Sequence, residues 1–275
     1  MLASEFAITA LNSPINGLKR GVKAVLEESD HEAIHDMRVA IRRIRSILRE
    51  MGGVFDRYYV NKIRADLRTI FNQTGELRDT EVAVSILLTV EVSDSHQEEY
   101  CEWLKIFKDK EIALKNTIQE YLKAHPIDGV IKTLRAVLSL PIKENKDSPV
   151  EIYGFKKINK IRTRIIEFTA LTKNKMKEDP ARYHQLRIFF KRLRYNIEFF
   201  SQALPATYKN IVKFAKKNQT LLGDLHDMDV LLIKIREDEK LNPALKSELE
   251  MELSSRKEKL IFDFLKHVDN LENKI

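Results

Sequence analysis

Two stretches of this 275-residue chain carry side chains fit for chemistry. The first, HEAIHDMRVAIRRIR (31–45), opens with H-E-x-x-H. On a helix that pattern is the zinc-protease signature, with two histidines to hold the metal and a glutamate as general base. The same stretch then runs into a series of arginines. Arg38, Arg42, Arg45 and Arg49 follow at intervals of four, three and four residues. A helix brings them within roughly 60° of one another, over about 16 Å of its length. His35 stands one turn before Arg38, and no carboxylate interrupts this face before Glu50. Like charges at i and i+4 repel. A stripe that tolerates this repulsion suits a polyanion, because guanidinium forks grip phosphate oxygens through charge-assisted, often bidentate hydrogen bonds.

The second stretch, HQLRIFFKRLR (184–194), aligns with HDMRVAIRRIR (35–45) at an offset of 149. His35/His184, Arg38/Arg187, Arg43/Arg192 and Arg45/Arg194 are identical, and Arg42/Lys191 is conservative. A further pair follows, GELRDTEV (75–82) and GDLHDMDV (223–230), at an offset of 148. Two ordered motifs at matched spacing point to an internal duplication. The next helix in each half adds a polar flank: Asn61, Arg64, Arg68 and Asn72 in the first, Lys209, Lys213, Lys216 and Thr220 in the second. The candidate ligand contacts are therefore His35, Arg38, Arg42, Arg45, Arg49, Arg64, Arg68, His184, Arg187, Lys191, Arg194, Lys213 and Lys216. If the halves pack symmetrically, these stripes converge on one groove.

The duplication also tests the metal reading. His31 maps to Pro180, Glu32 to Ala181 and Asp30 to Asp179. That is a shared helix start, an aspartate N-cap followed by first-turn positions where proline and acidic residues are at home. His35-Asp36 spells the HD pair of metal phosphohydrolases, but its counterpart is His184-Gln185. No glycine-rich phosphate loop and no G-x-S-x-G elbow occurs. The expectation is a chain without a catalytic constellation, a resident metal or a cofactor. Gly75 and Gly223 are expected to end helices, and Asp79 and Asp227 to cap the next ones or pair with a motif arginine. Arg78 and His226 lie within reach of a ligand and are left unassigned.

The elements that must position these residues are helices. The chain has only 8 glycines and is 32% charged, a composition that favours long helices. Apolar periodicity predicts helices over 31–51, 57–73, 79–90, 96–124, 155–173, 181–202, 206–221, 227–240 and 243–270. The stretch LPIKENKDSPV (140–150) reads as a linker. The predicted organisation is one domain over 1–275: a first repeat of about 1–140, a linker of about 141–150 and a second repeat of about 151–275. The net charge of +7 suggests a polyanionic partner. The single cysteine, Cys101, permits no disulfide framework. The chain shows neither a signal peptide nor an apolar run long enough for a membrane span. The expected location is the cytoplasm.

HDMRVAIRRIRSILRE with GELRDTEV, and HQLRIFFKRLRYNIEFF with LLGDLHDMDV, resemble the CHAD family, the conserved histidine α-helical domain. The resemblance covers nearly the whole chain. It implies an all-α fold of two pseudo-symmetric four-helix bundles forming one compact unit with a central basic groove. It also implies a stand-alone, non-catalytic module for inorganic polyphosphate, associated with polyphosphate granules, whose ligand contacts are the histidines and basic residues of the repeated helices. Two departures, Gln185 and His226, bear on local pairing. The main stripes carry no aromatic residue, whereas single-stranded nucleic-acid binders add stacking platforms. This favours a base-free polymer. A nucleic-acid-binding helical protein is the alternative, and a metal-dependent phosphohydrolase stands behind it.

Overall fold

The computed structural model describes the chain except for residues 28–31, 52, 141–146, 173–179, 270, 272 and 273. The described residues form an all-α fold. Ten α-helices follow in order: α1 (Ala3–Leu26), α2 (Ala33–Met51), α3 (Arg57–Gln73), α4 (Gly75–Leu87), α5 (Gln97–Ala124), α6 (Asp128–Leu138), α7 (Val150–Thr172), α8 (Pro180–Phe199), α9 (Tyr208–Glu237) and α10 (Pro243–Val268). None of the described helices is long and apolar enough to cross a membrane.

The chain divides into two compact units. The first comprises Met1–Glu76, Leu114–Asn159 and Tyr195–Ala206; the second comprises Leu77–Ala113, Lys160–Arg194 and Thr207–Ile275. Each unit takes segments from both halves of the sequence, so spatial compactness and the sequence repeat are different divisions of this chain.

In the first unit, α1 and α2 lie side by side. Gly21 makes the approach possible: a Cβ there would sit 3.0 Å from the backbone of Met37. Leu11, Ile15 and Leu18 of α1 are buried, as are Met37, Ile41, Ile44 and Leu48 of α2 and Ile63 and Leu67 of α3. Full burial of a side chain of this size contributes about 1.5–3 kcal/mol. The α2 spacing that buries this face directs Arg42, Arg45 and Arg49 away from it. Asp56 caps α3 by accepting from the Tyr58 and Tyr59 amides at 2.9 and 3.3 Å. In the second unit, Leu87, Tyr100, Trp103, Leu231, Leu232, Leu245, Leu249 and Leu253 share one core. The Trp103 indole donates to Asp238 at 2.9 Å, and the Tyr100 hydroxyl to the Leu87 carbonyl at 2.6 Å.

Most predicted helices occur within a few residues of their expected ends, and α3 matches both. Two glycines behave differently from expectation. Gly223 does not end a helix; α9 runs through it without a break for 30 residues. Gly75 begins α4 rather than ending α3. Asp79 and Asp227 consequently lie inside helices and cap neither. Neither glycine holds a left-handed backbone, and helix continues where the backbone does not require a break. α1 and α6 carry no prediction. Pro14, Gly17 and Gly21 mask the α1 period; a proline inside a helix removes one backbone donor. The expected N-caps Asp30 and Asp179, together with His31, lie outside the described residues, as does most of the linker. Its described end is tied to the chain start: the Ser4 amide donates to Asp147 at 3.1 Å, and the Ala3 amide to the Ser148 carbonyl at 2.9 Å.

Candidate anion-binding site

The first unit gathers arginines from two helices. Arg42, Arg45 and Arg49 project from α2, and Arg64 and Arg68 from α3. Burial pushes the Arg45 pKa down from its ordinary value, and the charges of Arg64, Arg68 and Arg49 push it the same way. A guanidinium whose charge is opposed by three others marks a concentrated positive field, which is lowered in energy when an anion joins it. The Nε of Arg64 is shielded from solvent without a hydrogen-bond partner among the described residues.

The other members of this stripe differ. Arg38 is buried. Its guanidinium donates to the Phe71 carbonyl at 3.1 Å and to the Thr74 hydroxyl, and its Cζ stands 4.1 Å from the centroid of the Phe71 ring. These bonds tie α2 to the end of α3 and leave Arg38 a structural role. The Cζ of Arg45 lies 5.6 Å from the same ring. An aromatic residue thus does belong to this face, as a platform under arginines. Arg49 donates from Nε to Glu50 at 2.9 Å, so its charge is partly balanced by a buried carboxylate. Arg42 makes a long 3.4 Å contact from Nε to the Arg38 carbonyl. His35 is half-buried on the first turn of α2.

The second unit holds the matching motif in other company. His184, Arg187, Lys191 and Arg194 lie on α8, and Lys213 and Lys216 are exposed on α9. Arg187 faces α9 at Gly223, where a Cβ would stand 3.9 Å from its Nε. The His184 and His226 rings are 5.7 Å apart. Around them stand Asp224 and Asp227. Burial raises the Asp227 pKa, assisted by Asp79 and opposed by Arg187, His226 and Arg78. Burial and Asp227 likewise raise Asp224, against Arg187. His226 is pushed down by burial, Arg187 and His184, with Asp227 and Asp229 pulling it up. Asp227 is thus the aspartate beside a motif arginine that the sequence allowed for. Asp224, Asp227, Arg78 and Glu81 line a pocket of about 270 Å³, and Arg78 lies 3.5 Å from Glu81.

The structure therefore brings together Arg45, Arg49, Arg64 and Arg68 in the first unit, and His184 and Arg187 with His226 in the second. Lys213 and Lys216 stand exposed on α9. The unassigned Arg78 and His226 belong to the charged environment of Asp227. Asp224 had no signal in the sequence beyond its place inside the second Gly-x-Leu motif. Among the described residues, no group of three or more His, Cys, Asp or Glu is placed to hold a metal. Of the H-E-x-x-H pattern, His31 lies outside the described residues.

The family model of the CHAD domain matches residues 9–236. The chain belongs to the CHAD domain family. Among solved structures, this CHAD chain is similar to the CHAD domain from the plant Ricinus communis, with 20% identity and a TM-score of 0.73 over 94% of this chain and 87% of that one. It is also similar to PptA from Streptomyces chartreusis, with 12% identity and a TM-score of 0.72 over 97% of this chain and 99% of that one. At these identities the likeness is one of fold. A search of curated proteins finds no match. The matched residues of the CHAD domain include both histidine–arginine motifs and both Gly-x-Leu motifs.

Proposed function

We propose that this CHAD chain binds inorganic polyphosphate without turning it over, with Arg45, Arg64 and Arg68 as the principal contacts. The observation that carries the reading is the convergence of Arg45 and Arg49 of α2 with Arg64 and Arg68 of α3, close enough for the other three charges to act on Arg45. Such a cluster is costly when empty and is relieved by a ligand of dense, repeated negative charge. Polyphosphate has one charge per phosphate and presents oxygens that match guanidinium forks. Arg42, Arg49 and His35 extend the contact along α2. In the second unit, His184, Arg187, Lys191, Arg194, Lys213 and Lys216 supply further cations, partly offset by Asp224 and Asp227. The protein acts in the cytoplasm and at polyphosphate granules.

The test is a titration of wild-type protein with long-chain polyphosphate over a series of salt concentrations. Affinity is expected to fall linearly on a log–log plot, because neutralised phosphates release condensed counterions. Absence of binding at moderate salt, or release of orthophosphate from the polymer by the pure protein, contradicts the proposal.

A further inference from the structure

One arginine of the first motif takes no part in the α2–α3 patch. Arg43 stands roughly 100–160° around α2 from Arg42, Arg45 and Arg49. It is exposed, and no hydrogen bond or ion pair among the described residues engages it. It lines a cavity of about 360 Å³ that belongs wholly to the first unit, with walls from α1, α2 and the end of α8. Ala10 and Pro14 of α1, Ile47 of α2 and Phe199 of α8 make those walls apolar. Pro14 and Ile47 are buried, and ring contacts fix Phe199, to Phe6 at 5.2 Å and to Phe200 at 4.5 Å between centroids. Small-molecule sites are clefts of about 300–1,000 Å³, mostly apolar, with a few placed polar groups. This cavity has that size and that lining.

Its charge says what it would take. Arg43 and Glu198 are the only charged residues that line it. Their formal charges cancel, so a polyanion gains little here. Glu198 is not without a partner of its own, which leaves Arg43 as the uncommitted charge. We propose that the cavity is a second binding site, for a small organic monoanion with a flat apolar body, an aryl carboxylate or sulfonate by chemical class. Arg43 is the anion contact, and Pro14, Ile47 and Phe199 receive the body. A guanidinium fork pairs with either anion through charge-assisted hydrogen bonds. The proposal stands whether or not the α2–α3 patch binds polyphosphate.

The probe is anilinonaphthalene sulfonate, whose emission rises when its rings leave water. N-phenylnaphthylamine, the same ring system without the sulfonate, is titrated in parallel. Wild type is compared with Arg43→Ala, Ala10→Phe and Arg64→Ala/Arg68→Ala, each checked for a native circular dichroism spectrum. Wild type is expected to bind one equivalent of the sulfonate. Arg43→Ala should weaken the sulfonate roughly ten- to a hundred-fold, the range of one lost hydrogen bond to a charged group, and leave the neutral amine unchanged. Ala10→Phe fills the cavity and weakens both probes, and the double arginine variant weakens neither. No saturable binding to wild type, or sulfonate affinity equal in Arg43→Ala and wild type, overturns the proposal. So does a sulfonate loss confined to Arg64→Ala/Arg68→Ala, or an equal loss of both probes in Arg43→Ala.

Discussion

Arg38 and Arg187 occupy the same place in two similar sequence motifs, yet their surroundings are opposite. Arg38 is buried, donates from Nη1 to Phe71 and Thr74, and stacks on the Phe71 ring. Arg187 faces Gly223 and stands among Asp224, Asp227 and His226. The neighbours differ in the same way. The charges that act on Arg45 are those of Arg64, Arg68 and Arg49, with Glu50 paired to the last. Around Asp227 they are mixed, and two histidines stand close together. A repeated sequence thus fixes where a cation emerges from a helix, while the packed neighbours decide what the cation can do. The first unit has a patch of nearly constant charge. The second has one whose charge titrates.

The largest expected effect comes from reversing charge in the first patch. Arg64→Glu/Arg68→Glu should reduce polyphosphate affinity by a hundred-fold or more, because charge-assisted bonds worth about 1.5–3 kcal/mol each become repulsions. Competition binding at constant salt measures this. The same reversal at Lys213 and Lys216 should cost far less, and equal losses would break the contrast.

Arg38→Ala is the next largest, and it should act on stability. It strips donors from the buried Thr74 hydroxyl and the Phe71 carbonyl and removes a stacked guanidinium. The expected loss is about 2–4 kcal/mol, read as a lower urea midpoint with an unchanged slope. Arg187→Ala should lose much less stability, since its neighbours are half-exposed and mixed in sign. A stable Arg38→Ala variant with weakened polyphosphate binding would return Arg38 to the ligand.

The pH dependence sharpens the comparison at smaller magnitude. The Asp224 and Asp227 pKa values are raised, so these groups lose negative charge at a pH above the ordinary carboxylate range. His226 is lowered, so it gains positive charge only below the ordinary histidine value. Acidification from pH 7 down through the ordinary histidine and carboxylate range therefore makes the second patch more positive. In an Arg45→Ala/Arg68→Ala background, polyphosphate affinity should rise several-fold over that interval. Asp227→Asn should flatten the rise, and a pH-independent affinity would contradict the assignment.

The smallest effect concerns stability at the same residue. A carboxyl whose folded pKa lies above its unfolded value binds its proton more tightly in the fold. Its charge therefore disfavours the folded state once pH exceeds the folded pKa. Asp227→Asn should raise the thermal midpoint slightly at pH 7 and leave it unchanged at pH 3, by calorimetry.

Much of this was legible in the sequence, for reasons particular residues make plain. The spacing of Met37, Ile41, Ile44 and Leu48 fixes a buried face, so the helix and the direction of Arg42, Arg45 and Arg49 follow from it. The likeness of 35–45 to 184–194 located both motifs. Three features were hidden. Gly223 reads as punctuation, but α9 passes through it, with Arg187 facing it across the helix contact. Arg38 is indistinguishable from Arg42 on a helical wheel, and only the end of α3, 33 residues later, removes it from solvent. Helix α1 is obscured by Pro14 and two glycines, one of which, Gly21, permits the approach to Met37. In each case the deciding partner is remote in sequence, beyond the reach of local periodicity.

The arginines of α2 and α3 are proposed here as the principal seat of polyphosphate. The most direct test is one isothermal titration series at matched salt and pH 7, with wild type, Arg45→Ala/Arg68→Ala and Lys213→Ala/Lys216→Ala. The expected loss is roughly a hundred-fold for the arginine pair, at about 1.4 kcal/mol per tenfold, and only a few-fold for the lysine pair. Equal losses in the two variants, or wild-type affinity in Arg45→Ala/Arg68→Ala, would contradict it.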